Sequence, residues 1–256
     1  SFGYGGEYKY DWGNFENKGS YKASTKGHME NLGLFSNLGY KLNENQILSL
    51  YLRADNHNTT DLNETYKLNF FQRLGKIYFN GSHSTGLRNP TLYELYGTDN
   101  YGIKGNLSLN PEKSKTNEFS INYNHSENTL FKSTVYKTKI FDRIESNAAY
   151  SKHENMKTDI KQEGLENSVS FKNSKNALSL FSNFSKSRKD NGQAQNRRPD
   201  LSYGANYSSK VKNSPLGEFT LNVNYKYTGS YTDWDGAKNS KQKSVDIVNL
   251  TLNKKI

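Results

Sequence analysis

The stretch from Ser84 to Lys115 carries the residues whose types and spacing most resemble a ligand-binding site. Its interior is rich in tyrosine and short polar side chains, namely Tyr93, Tyr96, Asp99, Asn100 and Tyr101. Tyrosine offers a large, rigid, amphipathic surface at low entropic cost. We therefore predict that these residues, together with Trp234, contact a large ligand that is partly polar and partly apolar. In the alternative interpretation, the aromatic side chains only pack the loops against their neighbours.

Two short boxes flank this interior. The first is Gly86-Leu87-Arg88-Asn89-Pro90, and the second is Gly105-Asn106-Leu107-Ser108-Leu109-Asn110-Pro111-Glu112-Lys113-Ser114. Because proline fixes φ and lacks an N–H, the two prolines are predicted to mark strand ends. Arg88 has the fork geometry to bind a carboxylate such as Glu94 or Glu112 through two hydrogen bonds. We predict loop scaffolding, more than ligand contact, for six box residues: Arg88, Asn89, Pro90, Asn110, Pro111 and Glu112.

Catalytic and metal-binding patterns are weak. The five histidines are far apart, and cysteine is absent. Asp233 and Asp235 are too few carboxylates for a calcium site. The nearest Ser/His neighbours, His83 with Ser82 or Ser84, point to opposite faces of a strand. We therefore predict no enzyme, no metal and no cofactor.

Composition and charge narrow the classes further. The chain has 256 residues, of which 32% are hydrophobic and 13% aromatic, and a net charge of +10. The 35 lysines and arginines are spread along the chain with no basic helix, which argues against nucleic-acid binding. No run of 18 apolar residues is present, so no transmembrane helix is expected. A polar chain rich in tyrosine and phenylalanine fits a barrel with a polar lumen and aromatic girdles.

Alternation with a period of two residues dominates the chain and indicates strands. In the first run, Phe2, Tyr4, Tyr8, Tyr10 and Trp12 share one face. We predict about twelve strands with ends uncertain by ~2–4 residues. They centre on Phe2–Trp12, Leu32–Leu42, Ile47–Ala54, Tyr66–Phe70, Ile77–Thr85, Phe119–Tyr123, Leu130–Ile140, Leu165–Phe171, Leu178–Phe184, Leu201–Tyr207, Phe219–Tyr227 and Val245–Leu252.

Short and long connections alternate along the chain. The short ones lie near Asn43-Glu44-Asn45, Arg73-Leu74-Gly75, Ser126-Glu127, Asn173-Ser174-Lys175 and Asn213-Ser214-Pro215. The long ones span about Gly13–Glu30, Asn56–Asn63, Gly86–Glu112, Asp142–Thr158, Lys186–Asp200 and Gly229–Lys243, and Pro90–Tyr96 has room for one helical turn. An outer-membrane barrel with tight periplasmic turns and extended outer loops shows this alternation.

The two boxes resemble the arginine-proline box and the Asn-Pro-Glu-Lys-Ser box of TonB-dependent outer-membrane receptors. Two later segments also resemble the family: Phe119-Ser120-Ile121-Asn122-Tyr123, and Glu163-Gly164-Leu165-Glu166. The Leu92-Tyr93-Glu94-Leu95-Tyr96-Gly97 stretch is similar to the cobalamin receptor branch, although the boxes also occur in siderophore receptors.

The resemblance implies an all-β fold: a transmembrane antiparallel barrel wall, running up and down, that is part of a barrel of about 22 strands with a plug inside. It implies an outer-membrane receptor for cobalamin or a ferric siderophore, with membrane lipid, the TonB complex and that small molecule as partners. The alternative is a closed twelve-stranded porin or a barrel enzyme. We expect residues 1–256 to form one partial barrel domain, as a fragment lacking the plug, the TonB box, roughly eight preceding strands and the closing strands.

Overall fold

The computed structural model describes residues 1–19, 22–147, 149–212, 214–215, 217–234 and 238–254. Ten residues lie outside this part, and most of them fall in connections that the sequence predicts: Ser20, Tyr21, Ala148, Asn213, Leu216, Asp235, Gly236, Ala237, Lys255 and Ile256. Within the described ranges the chain forms seventeen strands and one short helix. None of the described helical residues builds a helix long and apolar enough to cross a membrane.

Twelve of the strands are long and five are short. The long strands are β1 (Phe2–Asn17), β2 (Ala23–Asn43), β3 (Gln46–His57), β4 (Asp61–Leu74), β5 (Ile77–Arg88), β7 (Glu112–Ser126), β8 (Thr129–Phe141), β11 (Ile160–Lys172), β12 (Asn176–Lys189), β13 (Leu201–Val211), β14 (Phe219–Thr228) and β17 (Val245–Asn253). The short elements are α1 (Leu92–Tyr96), β6 (Gly97–Asp99), β9 (Ile144–Ser146), β10 (His153–Asn155), β15 (Tyr231–Trp234) and β16 (Asn239–Gln242).

The long strands pair in chain order from β1 to β17, so the fold is an antiparallel up-and-down meander. β1 and β17 lie at the two ends of this order, and β6 adds to β2 beside the main path. The prediction of an all-β meander of about twelve strands is confirmed. The barrel of about 22 strands, and the single domain over residues 1–256, stay predictions.

Strand ends are where the sequence interpretation was wrong. β2 begins at Ala23 and β1 continues to Asn17, so the predicted long loop Gly13–Glu30 shrinks to a short connection. The polar ends of these strands lack the apolar alternation, because a residue can continue a ladder through backbone hydrogen bonds alone. Trp234 lies in β15, within a predicted loop. The helical turn predicted near Pro90–Tyr96 is present as α1, and β5 and β7 end and begin beside the two prolines as expected.

One compact unit consists of residues 1–70, 82–117 and 138–160. In it, β1 pairs with β2 so that Tyr8 lies opposite Leu32, and β2 pairs with β3 so that Glu7, Gly33 and Asp55 form one cross-strand row. Alternate residues therefore form two faces. One face exposes apolar side chains, such as Tyr4 at 82% and Trp12 at 70%. The other face is polar and charged.

The second compact unit consists of residues 71–81, 118–137 and 161–256. Here the rings of Tyr203 and Tyr227, which lie opposite each other on β13 and β14, stack with centroids 4.7 Å apart. On the opposite face of β13, the ring of Phe181 lies over Gly204. A side chain at that position would collide with both the ring and a neighbouring backbone oxygen, so a glycine is required there.

We expect Gly204→Ala to destabilise the full-length protein by about 1–3 kcal/mol, because overpacking forces the neighbouring strand to move. A Cβ at this position would lie 2.7 Å from the Phe181 ring and even closer to the Tyr225 carbonyl oxygen. Gly81→Ala is the matched control, because its nearest neighbour, the Phe119 ring, lies at an ordinary 3.8 Å. Equal unfolding midpoints in urea for the two variants would contradict this packing argument.

Candidate functional site

The loop between β5 and β7 contains α1, a helix of only five residues that is held by its caps. The Thr91 hydroxyl accepts a hydrogen bond from the backbone N–H of Glu94 at 3.2 Å. The Glu94 carboxylate in turn accepts the Thr91 N–H at 2.7 Å. This reciprocal capping box satisfies N–H groups that a single turn cannot pair internally. The cap thus fixes both the start of α1 and the position of the Glu94 carboxylate.

Arg88 joins the two boxes through two paired carboxylates. Its guanidinium donates to Glu112 at 2.8 and 2.7 Å, and to Glu94 at 3.0 and 3.1 Å. The predicted bidentate contact therefore forms with both partners at once. Glu112 also accepts the backbone N–H of Ile144 at 2.8 Å, so the same network holds the loop that follows β8.

The remaining box residues also make internal contacts. The Asn89 side-chain oxygen accepts a hydrogen bond from the Thr60 hydroxyl at 3.3 Å. The backbone of Asn110 exchanges two hydrogen bonds with the Asn155 side chain, both at 2.8 Å. Pro90 and Pro111 are buried. Each of these contacts ties one connection of the sheet to another, and the scaffolding role predicted for the boxes stays a proposal that they support.

A small apolar cluster closes the base of this loop. Leu95, Leu109 and Ile144 are buried, and Met29 and Tyr96 pack against them. The Tyr96 hydroxyl donates to the His28 carbonyl at 3.2 Å, and its ring lies against Gly27. Tyr96 therefore serves packing first. Its predicted role in ligand contact stays a prediction.

Asp99 organises the tip of the loop. One of its carboxylate oxygens accepts the backbone N–H groups of Tyr101 and Ile103 at 2.9 and 3.1 Å. The other accepts the hydroxyl of Tyr93 at 3.1 Å. The Tyr93 ring meets His153 edge-on at 5.6 Å. This arrangement fixes the turn and leaves Tyr101 76% exposed.

A cavity of about 580 Å³ lies beside the tip and is called the tip cavity below. It is lined by Asp99 and Asn100 from the tip, by Ser24 of β2 and by Lys18 and Lys22 from the first connection. Two of the six predicted ligand contacts thus line one cavity, with the exposed Tyr101 next to them in sequence. Trp234 belongs to the second compact unit, where it is 55% exposed beside Asp233, which accepts a hydrogen bond from Arg197 at 2.8 Å.

Sequence reasoning missed Thr91 and Asn155. Thr91 had a local signal, since Thr-Leu-Tyr-Glu is the spacing of a capping box. Asn155 had none, because it acts on Asn110 across 45 residues of sequence. Among the described residues, no three acidic, histidine or cysteine side chains gather in a way that would hold a metal ion.

The ionisation of Glu94 reports on the same network. Burial opposes its charge, but the hydrogen bonds from Arg88 and from the Thr91 backbone outweigh burial and lower its pKa. A lowered pKa in the folded state adds stability above the ordinary pKa of 4.5, and that stability is lost as pH falls through the folded value.

We expect Arg88→Met to loosen both loops at neutral pH by about 1–2 kcal/mol. Two carboxylates lose their partner, although the 42% exposure of Arg88 moderates the cost. Hydrogen exchange over residues 89–111 and 142–159 measures the effect. Wild-type protection should also decline below about pH 4.5, and this step should be smaller in the variant, which keeps only the Thr91 hydrogen bonds to Glu94. Arg198→Met, at an exposed arginine for which the described residues provide no ion pair, is the control. If hydrogen exchange is unchanged in Arg88→Met, Arg88 does not stabilise these two loops.

Several solved structures share the fold of this chain. The chain is similar to the siderophore receptor PirA from Acinetobacter baumannii, with a TM-score of 0.73, 14% identity, and coverage of 98% of this chain and 48% of that one. It is similar to a mutant ferric enterobactin receptor from Pseudomonas aeruginosa in complex with enterobactin, with a TM-score of 0.71, 16% identity, and coverage of 89% and 38%. It is also similar to the FrpB iron transporter from Neisseria meningitidis, with a TM-score of 0.67, 15% identity, and coverage of 91% of this chain and 39% of that one.

The chain thus spans between about 40% and 50% of the length of these proteins, and at such identities the likeness concerns the fold alone. No curated protein sequence matches it. A family model described as TonB dependent receptor-like, beta-barrel, matches residues 1–256. This family comprises receptors and transporters rather than enzymes, which confirms the prediction that the chain is not an enzyme. By its strand order and by this match over its whole length, the chain belongs to the TonB-dependent receptor β-barrel family.

Proposed function

We propose that this chain forms part of the barrel wall of an outer-membrane receptor that captures cobalamin or a ferric siderophore and imports it. The observation that carries the proposal is the braced loop between β5 and β7, which presents an exposed tyrosine beside the tip cavity. A loop fixed by Arg88 and by the apolar cluster loses little entropy on binding, and preorganisation of this kind raises affinity.

Within this proposal the six predicted ligand residues take two roles. Asp99, Asn100 and Tyr101 are the direct contacts, because they line the tip cavity or lie exposed beside it. Tyr93 holds the tip through its hydrogen bond to Asp99, and Tyr96 holds the base through its hydrogen bond to the His28 carbonyl. Trp234 forms a separate contact, exposed on its own hairpin. A volume of about 580 Å³ is within the usual range for sites that bind small molecules.

Two lines of support bear on the ligand. The similar solved structures include proteins named as siderophore receptors and an iron transporter, which favours a ferric chelate. The Leu92-Tyr93-Glu94-Leu95-Tyr96-Gly97 stretch favours a corrinoid. In both cases the ligand is large, polar at its rim and partly apolar, as the tyrosine-rich loop requires.

The rest of the transport cycle follows from family membership. Receptors of this family bind siderophores and draw energy from TonB, and we propose that TonB acts here through a plug. Membrane lipid is the proposed partner of the exposed apolar face of β1–β3, on which Tyr4 and Trp12 stand. The family match favours a receptor over the alternative of a closed twelve-stranded porin or a barrel enzyme.

We expect the full-length receptor to bind cyanocobalamin or a ferric siderophore, and Tyr101→Ala to weaken that binding about tenfold, because truncating an exposed aromatic anchor removes its contact area. Tyr40→Ala is the matched control, since Tyr40 is 61% exposed on β2, next to the short turn at the far end of the strand. Calorimetry or tryptophan fluorescence measures the affinity. Absence of binding to both ligand classes would refute the proposed function.

A further inference from the structure

A group of three lysines lies on β7 and β8, close to the ends of these strands at the long connections. The hydroxyls of Thr116 and Thr138 bond each other across the two strands at 2.9 Å. Because side chains alternate along a strand, the adjacent residues Lys115 and Lys139 are neighbours on the opposite face. Lys113 shares that face, two residues before Lys115. All three lysines are exposed and belong to the first compact unit, and we call them the lysine group.

The lysine group stands on the apolar face of the sheet. Asn117, on the same face of β7, bonds His83 of β5 at 2.8 Å, and His83 bonds the Tyr66 hydroxyl of β4 at 3.1 Å. These side chains therefore share one face of the three strands. On β4 that face continues with Leu68 and Phe70, which are 44% and 39% exposed, as Tyr66 is at 42%. Exposed apolar side chains of this kind are the proposed contacts with membrane lipid.

Two of the three positive charges are not balanced by the protein. Among the described residues, neither Lys113 nor Lys115 forms an ion pair. Glu112, next to Lys113 in sequence, points to the other face, where Arg88 binds it. The Lys115 ammonium lies 5.9 Å from the centre of the Phe141 ring. That contact holds the ammonium in place without neutralising its charge.

Lys139 differs from the other two, because its ammonium pairs with Asp159 at 2.6 Å. Glu64 is a further acidic residue on the apolar face, but it belongs to β4, and β5 lies between it and the lysine group. The lysine group together with Asp159 thus keeps two positive charges. Neighbouring residues on one face of a sheet lie about 5–7 Å apart, and like charges at this spacing are destabilising. A bound anion would remove this cost.

The place of the lysine group in the sheet indicates what kind of anion binds there. A lysine on the lipid-facing side of a barrel is costly in the middle of the bilayer but costs little at the interface. Lys113 is the second residue of β7, directly after the long loop, and Lys139 lies two residues before the end of β8. Lysines near a membrane surface attract anionic lipid headgroups.

We propose that the lysine group binds the phosphate groups of an anionic lipid in the outer leaflet. The acyl chains of that lipid lie against the apolar side chains of the same face, such as Tyr66 and Leu68. Free phosphate lacks this second contact, which favours the lipid as the source of the phosphate. The inference rests on the proposed function, because it needs membrane lipid on the apolar face and the long loops on the outer side.

The test uses the full-length receptor in detergent, with diphosphoryl lipid A as the probe and phosphatidylcholine and inorganic phosphate as comparisons. Lys113→Gln/Lys115→Gln removes two charges at similar side-chain length, and Lys113→Arg/Lys115→Arg keeps both charges. Lys41→Gln/Lys67→Gln is the matched control. Lys41 and Lys67 are exposed and alternate with the apolar residues of β2 and β4, so they stand on the polar face.

Native mass spectrometry measures the affinity for lipid A. We expect Lys113→Gln/Lys115→Gln to bind it about 25-fold more weakly than the wild type, at about fivefold for each lysine removed. The arginine variant and the polar-face control should change less than twofold. Wild-type affinity should also fall as salt is raised, because ions screen exposed charges. Phosphatidylcholine, whose phosphate is balanced by an ammonium group, should bind the wild type and all variants equally.

Unchanged lipid A affinity in Lys113→Gln/Lys115→Gln overturns the proposal. So does displacement of lipid A by an equal concentration of inorganic phosphate, because the site would then select free phosphate. Flotation with phosphatidylcholine vesicles tests the membrane contact separately. A wild type that does not float refutes that contact and this inference together. Absence of cobalamin and siderophore binding refutes ligand capture alone, and the lipid A result then still supports the lysine group as a lipid site.

Discussion

The interaction on which the loop between β5 and β7 depends is the double ion pair of Arg88. One guanidinium accommodates Glu94, which caps α1, and Glu112, which opens β7 and also holds Ile144. A lysine could not replace it, because a compact ammonium lacks the planar fork that binds two carboxylates bidentately. Arg88 stands at the last position of β5, so the end of one strand sets the course of a loop of more than twenty residues.

The apolar cluster and the polar contacts stabilise different parts of this loop. Leu95, Leu109 and Ile144 form the buried apolar contacts at the base, while the Arg88 network holds its two carboxylates in a partly exposed position. At the tip, the Asp99 carboxylate fixes the turn by accepting two backbone N–H groups. A loop built in this way is ordered without a ligand, which is the property that the proposed capture site needs.

The sheet beneath the loop separates two chemistries by the alternation of its strands. Apolar rows such as Tyr8 and Leu32 share one face, and the row of Glu7, Gly33 and Asp55 lies on the other. Glycine makes room on that polar face, where Gly33 lies under the Arg53 guanidinium. The polar face can therefore hold the ion-pair network of Arg53, Asp55 and Glu7, while the row of Tyr8 and Leu32 on the apolar face has no charge pair.

The sequence determined the fold class and the place of the main loop. Period-two alternation located the twelve long strands, because side chains on a strand point to opposite faces whatever lies around them. Pro90 marked the end of β5 and Pro111 the beginning of β7. The reason is equally local, because proline cannot continue a ladder of backbone hydrogen bonds. Where the residues were polar, as at Ala23–Glu30, the local pattern gave no strand signal, and the first part of β2 was predicted as a loop.

Tertiary structure decided what each side chain does. Tyr93 and Tyr101 look alike in sequence, but one is hydrogen-bonded to Asp99 and the other is exposed. Asn155 and Asn31 acquire their roles from partners on other connections or strands. Such pairings depend on the register of strands that are distant in sequence. Only the folded sheet sets that register, because backbone pairing joins residues that no local pattern relates.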